Sequence, residues 1–211
     1  MLKELPFLLE GSKMTIVLAI VTILFGTFLG IILAFCKISK NKATSSMATI
    51  YTWIFRGTPL LLQLYFFYNV LPLWGLTMTP FLAAVISLSL NCAAYMAEII
   101  RGGIIAIDKG QFEASKALGF TYFQTMVKIV LPQTFRVIIP PVGNEFISML
   151  KDTSLVSSIA MAELMKTTQD LGSATFKYPE LFFSAACLYL LMTTIFTTGF
   201  SIIEKKLSRY S

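Results

Sequence analysis

The chain has 211 residues, of which 56% are hydrophobic and 13% are charged, whereas soluble domains carry about 25% charged residues. It contains no histidine, and its three cysteines lie in or beside apolar stretches. This composition predicts an all-α polytopic membrane protein. It argues against a disulfide framework, a Ser-His-Asp triad and the usual zinc sites. We therefore expect neither a catalytic residue nor a metal site. The net charge of +6 does not indicate nucleic-acid binding, because the basic residues lie between the apolar stretches.

Five apolar stretches are long enough to cross a bilayer, which takes about 20 residues. Within the first, Gly26 and Gly30 have the spacing that permits close approach of another helix. The second contains Gly57 and Pro59, which predict a broken helix. A single transmembrane domain, 1–211, is therefore expected to have spans at approximately 14–35, 47–70, 79–100, 139–160 and 181–203.

The polar stretch 108–132 separates the third and fourth spans and predicts two short helices. Asp108 and Thr121 each stand three residues before a glutamine, which is the capping-box pattern of a helix start. Gly119 is expected to end the first helix in the left-handed conformation.

Prolines and polar residues set the boundaries that we expect after this stretch. Pro132 is expected to end the second short helix, and the fourth span is expected to begin at Pro140 and Pro141. The polar stretch 165–180 is expected to be a loop before the fifth span.

Basic residues are distributed unevenly between the two sides of the predicted membrane domain. Eleven Lys and Arg residues lie on one side: three after the first span, five in or beside the 108–132 stretch and three in the C-terminal tail. The segments on the other side, before the first span and between the fourth and fifth spans, contain four. The excess of basic residues in cytoplasmic loops predicts that the N-terminus is outside and the C-terminus is cytoplasmic.

The stretch 108–132 resembles the EAA loop of binding-protein-dependent ABC importer permeases. In that family, the loop carries a coupling helix that docks in a groove of the ATPase subunit. Glu113, Ala114, Gly119, Ile129, Leu131 and Pro132 match the pattern, and Ser115 replaces its second alanine. The resemblance implies a coupling role for Gln111, Glu113, Ala114, Ser115, Gly119, Leu131 and Pro132.

Longer stretches, including FRGTPLLLQLYFFY and AAYMAEIIRGGI, resemble permeases for polar amino acids, and the similarity covers roughly residues 10–207. This resemblance implies the Type I importer fold in a bacterial cytoplasmic membrane. It also implies a second permease chain, identical or paralogous, two ATPase subunits and an extracellular or periplasmic amino-acid-binding protein. It implies no cofactor on this chain, because ATP and magnesium are held by the ATPase.

Ionisable residues inside a span are costly and tend to line a transport route or to pair. Asn91, Tyr95 and Glu98 share one face of the third predicted helix, and Glu145 and Asp152 share a face of the fourth. With the broken second helix, they could enclose a wet cavity near the midplane. The candidate substrate-binding residues are Thr58, Asn91, Tyr95, Glu98, Glu145, Lys151, Asp152 and Ser154.

Several of these residues also fit structural roles. Arg56 fits a kink in which it pairs with Glu98 or reaches the cytoplasmic surface. Asn91 and Asn144 fit hydrogen bonds between helices better than ligand contacts. Glu163 is expected at the outer surface, in contact with the binding protein.

The sequence favours the membrane subunit of an ATP-driven amino-acid importer over two other classes. An ATP-independent channel or secondary transporter would predict ion or proton dependence and leaves the EAA loop unexplained. An intramembrane enzyme is disfavoured because the chain has neither histidine nor a Walker-type GxxxxGK[ST] loop.

Overall fold

The computed structural model describes residues 3–208, which form helices and turns without a β-strand. Arg209, which contributes to the basic C-terminal tail, lies outside the described residues. In chain order the α-helices are α1 (Leu5–Lys37), α2 (Lys42–Gly57), α3 (Leu60–Tyr65), α4 (Pro80–Ile105), α5 (Lys109–Ala117), α6 (Tyr122–Thr125), α7 (Leu131–Asp152), α8 (Leu164–Thr175) and α9 (Tyr178–Ser208).

The centre of the bundle is the contact between α1 and α4. A Cβ atom added to Gly26 would lie 2.6 Å from Cβ of Cys92, and one added to Gly30 would lie 2.5 Å from Cβ of Met96. Both distances are far below a normal carbon–carbon contact, so only glycine allows this approach. The close helix contact predicted from the glycine spacing is confirmed.

Three of the described helices, α1, α4 and α9, are long and apolar enough to cross a membrane. The second predicted span is divided between α2 and α3, and the fourth lies largely in α7, which carries several polar side chains. The count of five spans therefore stays a prediction.

The second apolar stretch is a broken helix, as predicted. α2 ends at Gly57, Thr58 has an extended backbone, and α3 begins at Leu60. A π-helical turn, Phe66–Val70, and a short 3₁₀ helix, Leu71–Trp74, then lead into the connection to α4.

The coupling loop, 108–132, contains the two short helices expected from its sequence. Gly119 ends the first of them with a φ of 79°. The second begins with a complete capping box at Thr121 and Gln124. At the start of α5, the Asp108 carboxylate instead accepts a hydrogen bond from the amide of Gly110.

Two predicted helix boundaries after this loop are wrong. Pro132 does not end a helix, and Pro140 and Pro141 lie inside α7 rather than at its start. The preceding turn is π-helical, and the Leu131 amide reaches back five residues to the Met126 carbonyl. Pro132 then falls in the first turn of α7, where helix amides have no intrahelical partner and a missing amide does little harm. α7 therefore runs from the coupling loop into the interior.

The predicted loop at 165–180 is also wrong, because most of it forms the helix α8. The Glu163 side chain caps this helix and accepts from the Lys166 amide at 2.8 Å. Its other carboxylate oxygen accepts from the hydroxyls of Thr15 at 3.2 Å and Tyr189 at 2.9 Å.

Glu163 is 0% exposed, so its predicted position at the outer surface is wrong. Burial raises the pKa of its carboxyl above the ordinary value, while the hydrogen bonds it accepts act in the opposite direction. The residue fixes the junction of α1, α8 and α9, because its partners come from all three helices.

Candidate functional site

The interruption between α2 and α3 exposes backbone carbonyls that side-chain amides satisfy. Pro59 has no N–H, so the Phe55 carbonyl four residues earlier lacks its usual helical donor. Gln63 Nε2 lies 2.8 Å from this carbonyl and 3.1 Å from the carbonyl of Thr58. Asn91 Nδ2 also donates to the Phe55 carbonyl, at 2.9 Å. The break is therefore a stable part of the fold.

Gln63 and Asn91 also bond to each other and join α3 to α4. Asn91 Nδ2 lies 3.0 Å from Gln63 Oε1. The helix-to-helix role expected for Asn91 is thus confirmed, whereas Gln63 was absent from the candidate residues. The available signal was an amide inside an apolar run, four residues after Pro59.

A polar cavity of about 420 Å³ lies beside this break, between the α2–α3 connection, α4 and α7. We call it the central cavity. Its lining residues are Thr58, Pro59, Leu60, Asn91, Tyr95, Glu145, Ser148, Lys151 and Asp152.

The cavity brings six of the eight candidate substrate-binding residues together: Thr58, Asn91, Tyr95, Glu145, Lys151 and Asp152. Ser154 does not line it and lies in the 3₁₀ turn Thr153–Ile159. Glu98 lies one to two helical turns further along α4 than Asn91 and Tyr95, and lines a different cavity.

α7 supplies the charged groups of the central cavity. Glu145, Ser148 and Asp152 recur at helical spacing, so one face of α7 presents two carboxylates, and the Lys151 ammonium is on the adjacent face. Within the described residues, none of these three charged side chains forms a hydrogen bond or an ion pair with another part of the chain. An interior cavity with unpaired groups of both signs can bind a small zwitterion.

The proposed pair of Arg56 with Glu98 is wrong. Glu98 pairs with Lys37 at the end of α1 and with Arg101 one turn further along α4. Arg56 instead lies over the ring of Tyr95, with its guanidinium carbon 5.2 Å from the ring centroid. The physical reason is that Lys37 and Arg101 already occupy both oxygens of Glu98.

The coupling loop packs against the ends of α1 and α4 through a small apolar cluster of Ala34, Ile100, Ile104, Ile107, Met126 and Val130. Of the residues assigned to coupling, Gln111, Glu113, Ala114, Gly119 and Pro132 are exposed, and Leu131 is half-buried. Ser115 is 1% exposed, and its hydroxyl donates to the Gln111 carbonyl. Its small side chain therefore packs within the chain rather than facing a partner.

The loop also exposes large apolar residues that are not among the candidate coupling residues. Leu118, Tyr122 and Phe123 are 75%, 69% and 74% exposed. Clustered exposed apolar residues on a polar loop are typical of a protein contact surface. A helical bundle with a charged cavity and an exposed helix pair at one end is the arrangement expected of a membrane permease.

Comparison with known proteins identifies the family. Residues 26–209 match the family described as "Binding-protein-dependent transport system inner membrane component", and the chain belongs to it. It is 43% identical over 205 residues to the arginine transport system permease protein ArtQ of Bacillus subtilis (strain 168), covering 97% of this chain and 94% of that protein. It is 42% identical over 205 residues to the putative glutamine transport system permease protein GlnP of Rickettsia bellii (strain RML369-C), with the same coverage.

Solved structures support the same assignment. The chain matches a subunit of an amino acid ABC transporter, crystallised with histidines, with a TM-score of 0.94 and 38% identity, covering 98% of this chain and 96% of the other. A match to the inward-facing MetNI methionine ABC transporter has a TM-score of 0.80 at 18% identity and supports the fold alone. The chain is therefore the Type I permease subunit of an ABC importer, a transport component of the inner membrane rather than an enzyme.

Proposed function

We propose that this permease carries a polar amino acid across the cytoplasmic membrane by alternating access, and that the central cavity binds the amino acid in transit. The observation that carries the proposal is the set of unpaired charges on α7. Glu145, Lys151 and Asp152 line a cavity of about 420 Å³, and within the described residues none of them forms a hydrogen bond or an ion pair. A passing zwitterion would supply the missing partners of both signs.

The charge balance of the central cavity favours a neutral or cationic amino acid over an anionic one. Two carboxylates face one ammonium there. Relatives named for arginine and glutamine transport agree with this preference. A third relative, 39% identical over 206 residues, is named the L-cystine transport system permease protein TcyB of Bacillus subtilis (strain 168), covering 97% of this chain and 88% of that protein.

We infer that the coupling loop contacts an ATPase subunit. Two ATPase subunits, a second permease chain and an extracellular amino-acid-binding protein would complete the importer, with ATP and magnesium on the ATPases and no cofactor on this chain. The exposed Leu118, Tyr122 and Phe123 support this contact, since they form an apolar surface on an otherwise polar loop. The coupling loop and the C-terminus would then face the cytoplasm, and the N-terminus the outside.

Replacing Asp152 with Asn tests the central cavity, because it keeps the shape and removes one charge. The complex is reconstituted with its ATPase and binding protein, and uptake is measured beside basal ATP hydrolysis. We expect uptake to fall at least about tenfold, the effect of losing one charge-assisted contact. Assembly and basal hydrolysis should stay close to wild type.

Glu204→Gln is the matched control, because it also removes one acid but lines a separate pocket between α7 and α9. This variant should transport normally. Wild-type uptake and half-saturation in the Asp152→Asn complex would mean that Asp152 is structural and that the substrate binds elsewhere.

A further inference from the structure

An open cleft of about 420 Å³, with charged residues in its walls, lies toward the coupling-loop end of the bundle, between α1, α2 and α4. We call it the basic vestibule. Lys37, Arg56 and Glu98 contribute charged groups to its walls. The central cavity contacts the broken helix after the break, at Thr58, whereas the basic vestibule contacts it before the break, at Arg56. The two spaces therefore contact the interrupted segment at neighbouring residues, Gly57 and Thr58.

The acid of the basic vestibule is already neutralised. One oxygen of Glu98 forms an ion pair with Lys37, and Arg101 Nε and Nη2 donate to the other at 3.0 and 2.7 Å. Lys37 also donates to Thr52 Oγ1, at 2.7 Å. Two cationic side chains thus contact a single carboxylate, and the group of three keeps a surplus of one positive charge.

Arg56 adds a further positive charge to the vestibule. It is exposed, and among the described residues no carboxylate forms an ion pair with it. Its guanidinium carbon lies 5.2 Å from the centroid of the Tyr95 ring, and none of its N–H groups donates a hydrogen bond within the described part of the chain. The N–H edge stays available, and its forked donors match the two oxygens of a carboxylate.

We propose that the basic vestibule is a second substrate site, which binds the α-carboxylate of the amino acid after it leaves the central cavity. Tyr95 lines the central cavity and Arg56 lines the vestibule, so the contact between their side chains joins the walls of the two spaces. The surplus acid on one side suits the ammonium of the substrate, and the surplus base on the other suits its carboxylate. This inference rests on the proposed transport of amino acids.

A protection experiment on the assembled importer tests the site directly. The complex is placed in lipid nanodiscs, where both faces are open, and is treated with phenylglyoxal, which modifies accessible guanidinium groups. L-glutamine, L-histidine and L-lysine are each compared with their decarboxylated forms, 4-aminobutanamide, histamine and cadaverine. Modification of Arg56 is followed by peptide mass spectrometry, with Arg101 as the internal control.

We expect the amino acid that stimulates ATP hydrolysis to protect Arg56 at least about fivefold, and its decarboxylated form to give no protection, because that form lacks the group that Arg56 binds. Protection of Arg56 should persist in the Asp152→Asn complex, in which the central cavity is altered. The vestibule site would be overturned if the decarboxylated form protected Arg56 as well as the amino acid does, or if the amino acid gave Arg56 no protection. Failure of these three amino acids, and of L-arginine and L-cystine as well, to stimulate hydrolysis would overturn the proposed function itself, and this inference with it.

Uptake by two Arg56 variants supplies an independent readout. Arg56→Gln should lower the maximal rate of uptake about tenfold, whereas Arg56→Lys, which keeps the charge, should retain an intermediate rate. The concentration of loaded binding protein that gives half-maximal ATP hydrolysis should not change, since the vestibule acts after the substrate is released into the permease. Uptake by Arg56→Gln within twofold of wild type would contradict the proposal.

Discussion

Gln63 shows how one side chain makes an interrupted helix possible in a bilayer. Backbone carbonyls exposed at the break have no water to bind in an apolar environment, and each would cost free energy if left unsatisfied. Gln63 is 8% exposed and lies within hydrogen-bond distance of two such carbonyls and of Asn91. The central cavity therefore depends on an amide that does not itself line it.

Replacing Gln63 with Leu should destabilise the protein by about 1–3 kcal/mol, because the Thr58 carbonyl loses its donor and the Phe55 carbonyl keeps only Asn91. The melting temperature of the purified complex measures this effect, and uptake should fall with it. Gln133→Leu is the matched control, since Gln133 Nε2 donates to the Ile129 carbonyl within its own helical segment. Equal melting temperatures for the two variants would show that Gln63 does not hold the break.

The sequence predicts the parts of the candidate site that lie on a single helix, because helical spacing shows which residues share a face. Glu145 and Asp152 share a face because they lie seven residues apart on one helix, and the structure places both in the central cavity. The partner of Glu98 could not be predicted, because Lys37 lies 61 residues away and helix packing alone brings the two together. Gln63 differs, because its contacts with the Phe55 and Thr58 carbonyls are local, and an amide four residues after Pro59 was a signal for them.

At the scale of elements, the Gly119 turn sets the angle between the two helices of the coupling loop. Its φ of 79° is strained for any residue with a Cβ atom, although the space around the site is open. A substitution there should change the backbone conformation without causing a clash. The loop would then keep its helices but present them at a different angle.

Gly119→Val should leave membrane insertion intact and uncouple ATP hydrolysis from uptake. We expect a local cost of about 1–3 kcal/mol for the strained conformation. The ratio of amino acid transported to ATP hydrolysed in proteoliposomes measures the coupling. Gly199→Val is the control, because Gly199 also faces open space but lies within α9 without a positive φ. An unchanged ratio in Gly119→Val would count against a coupling role for the turn.

Local signals predicted some element boundaries and missed others. The Thr121 capping box and the Gly119 turn are determined by residues three to five positions apart, and both were predicted. Pro132, Pro140 and Pro141 were read as boundaries because proline disfavours helix interiors. The π-helical turn before α7 shifts the register, and the neighbouring helices hold the rest of α7 in place, so tertiary packing overrode the local preference.

At the scale of the whole molecule, the distribution of basic residues predicts which face of the bundle is cytoplasmic. Lys42, Lys116 and Lys205 belong to the basic side, and Lys166 and Lys177 to the opposite side. A membrane-impermeant amine reagent applied to intact cells should modify Lys177, which is 55% exposed, and to a lesser extent Lys166, which pairs with Asp170 at 2.6 Å. Lys116 should react only after the cells are opened. Modification of Lys116 in intact cells would reverse the orientation and remove the contact with a cytoplasmic ATPase.

The continuity of α7 also has a mechanical consequence. Its 22 residues begin at the coupling loop and end at Asp152, and at 1.5 Å per residue the helix is about 32 Å long, so it would act as a lever arm if the loop moves. A tilt of about 10° at the loop would displace the Asp152 end by roughly 5 Å, which is about the rise of one helical turn. Pro140 and Pro141 remove two adjacent amide donors near the middle of that arm. The stiffness of the helix at these two residues therefore determines how far a movement of the loop would displace the carboxylates of Glu145 and Asp152.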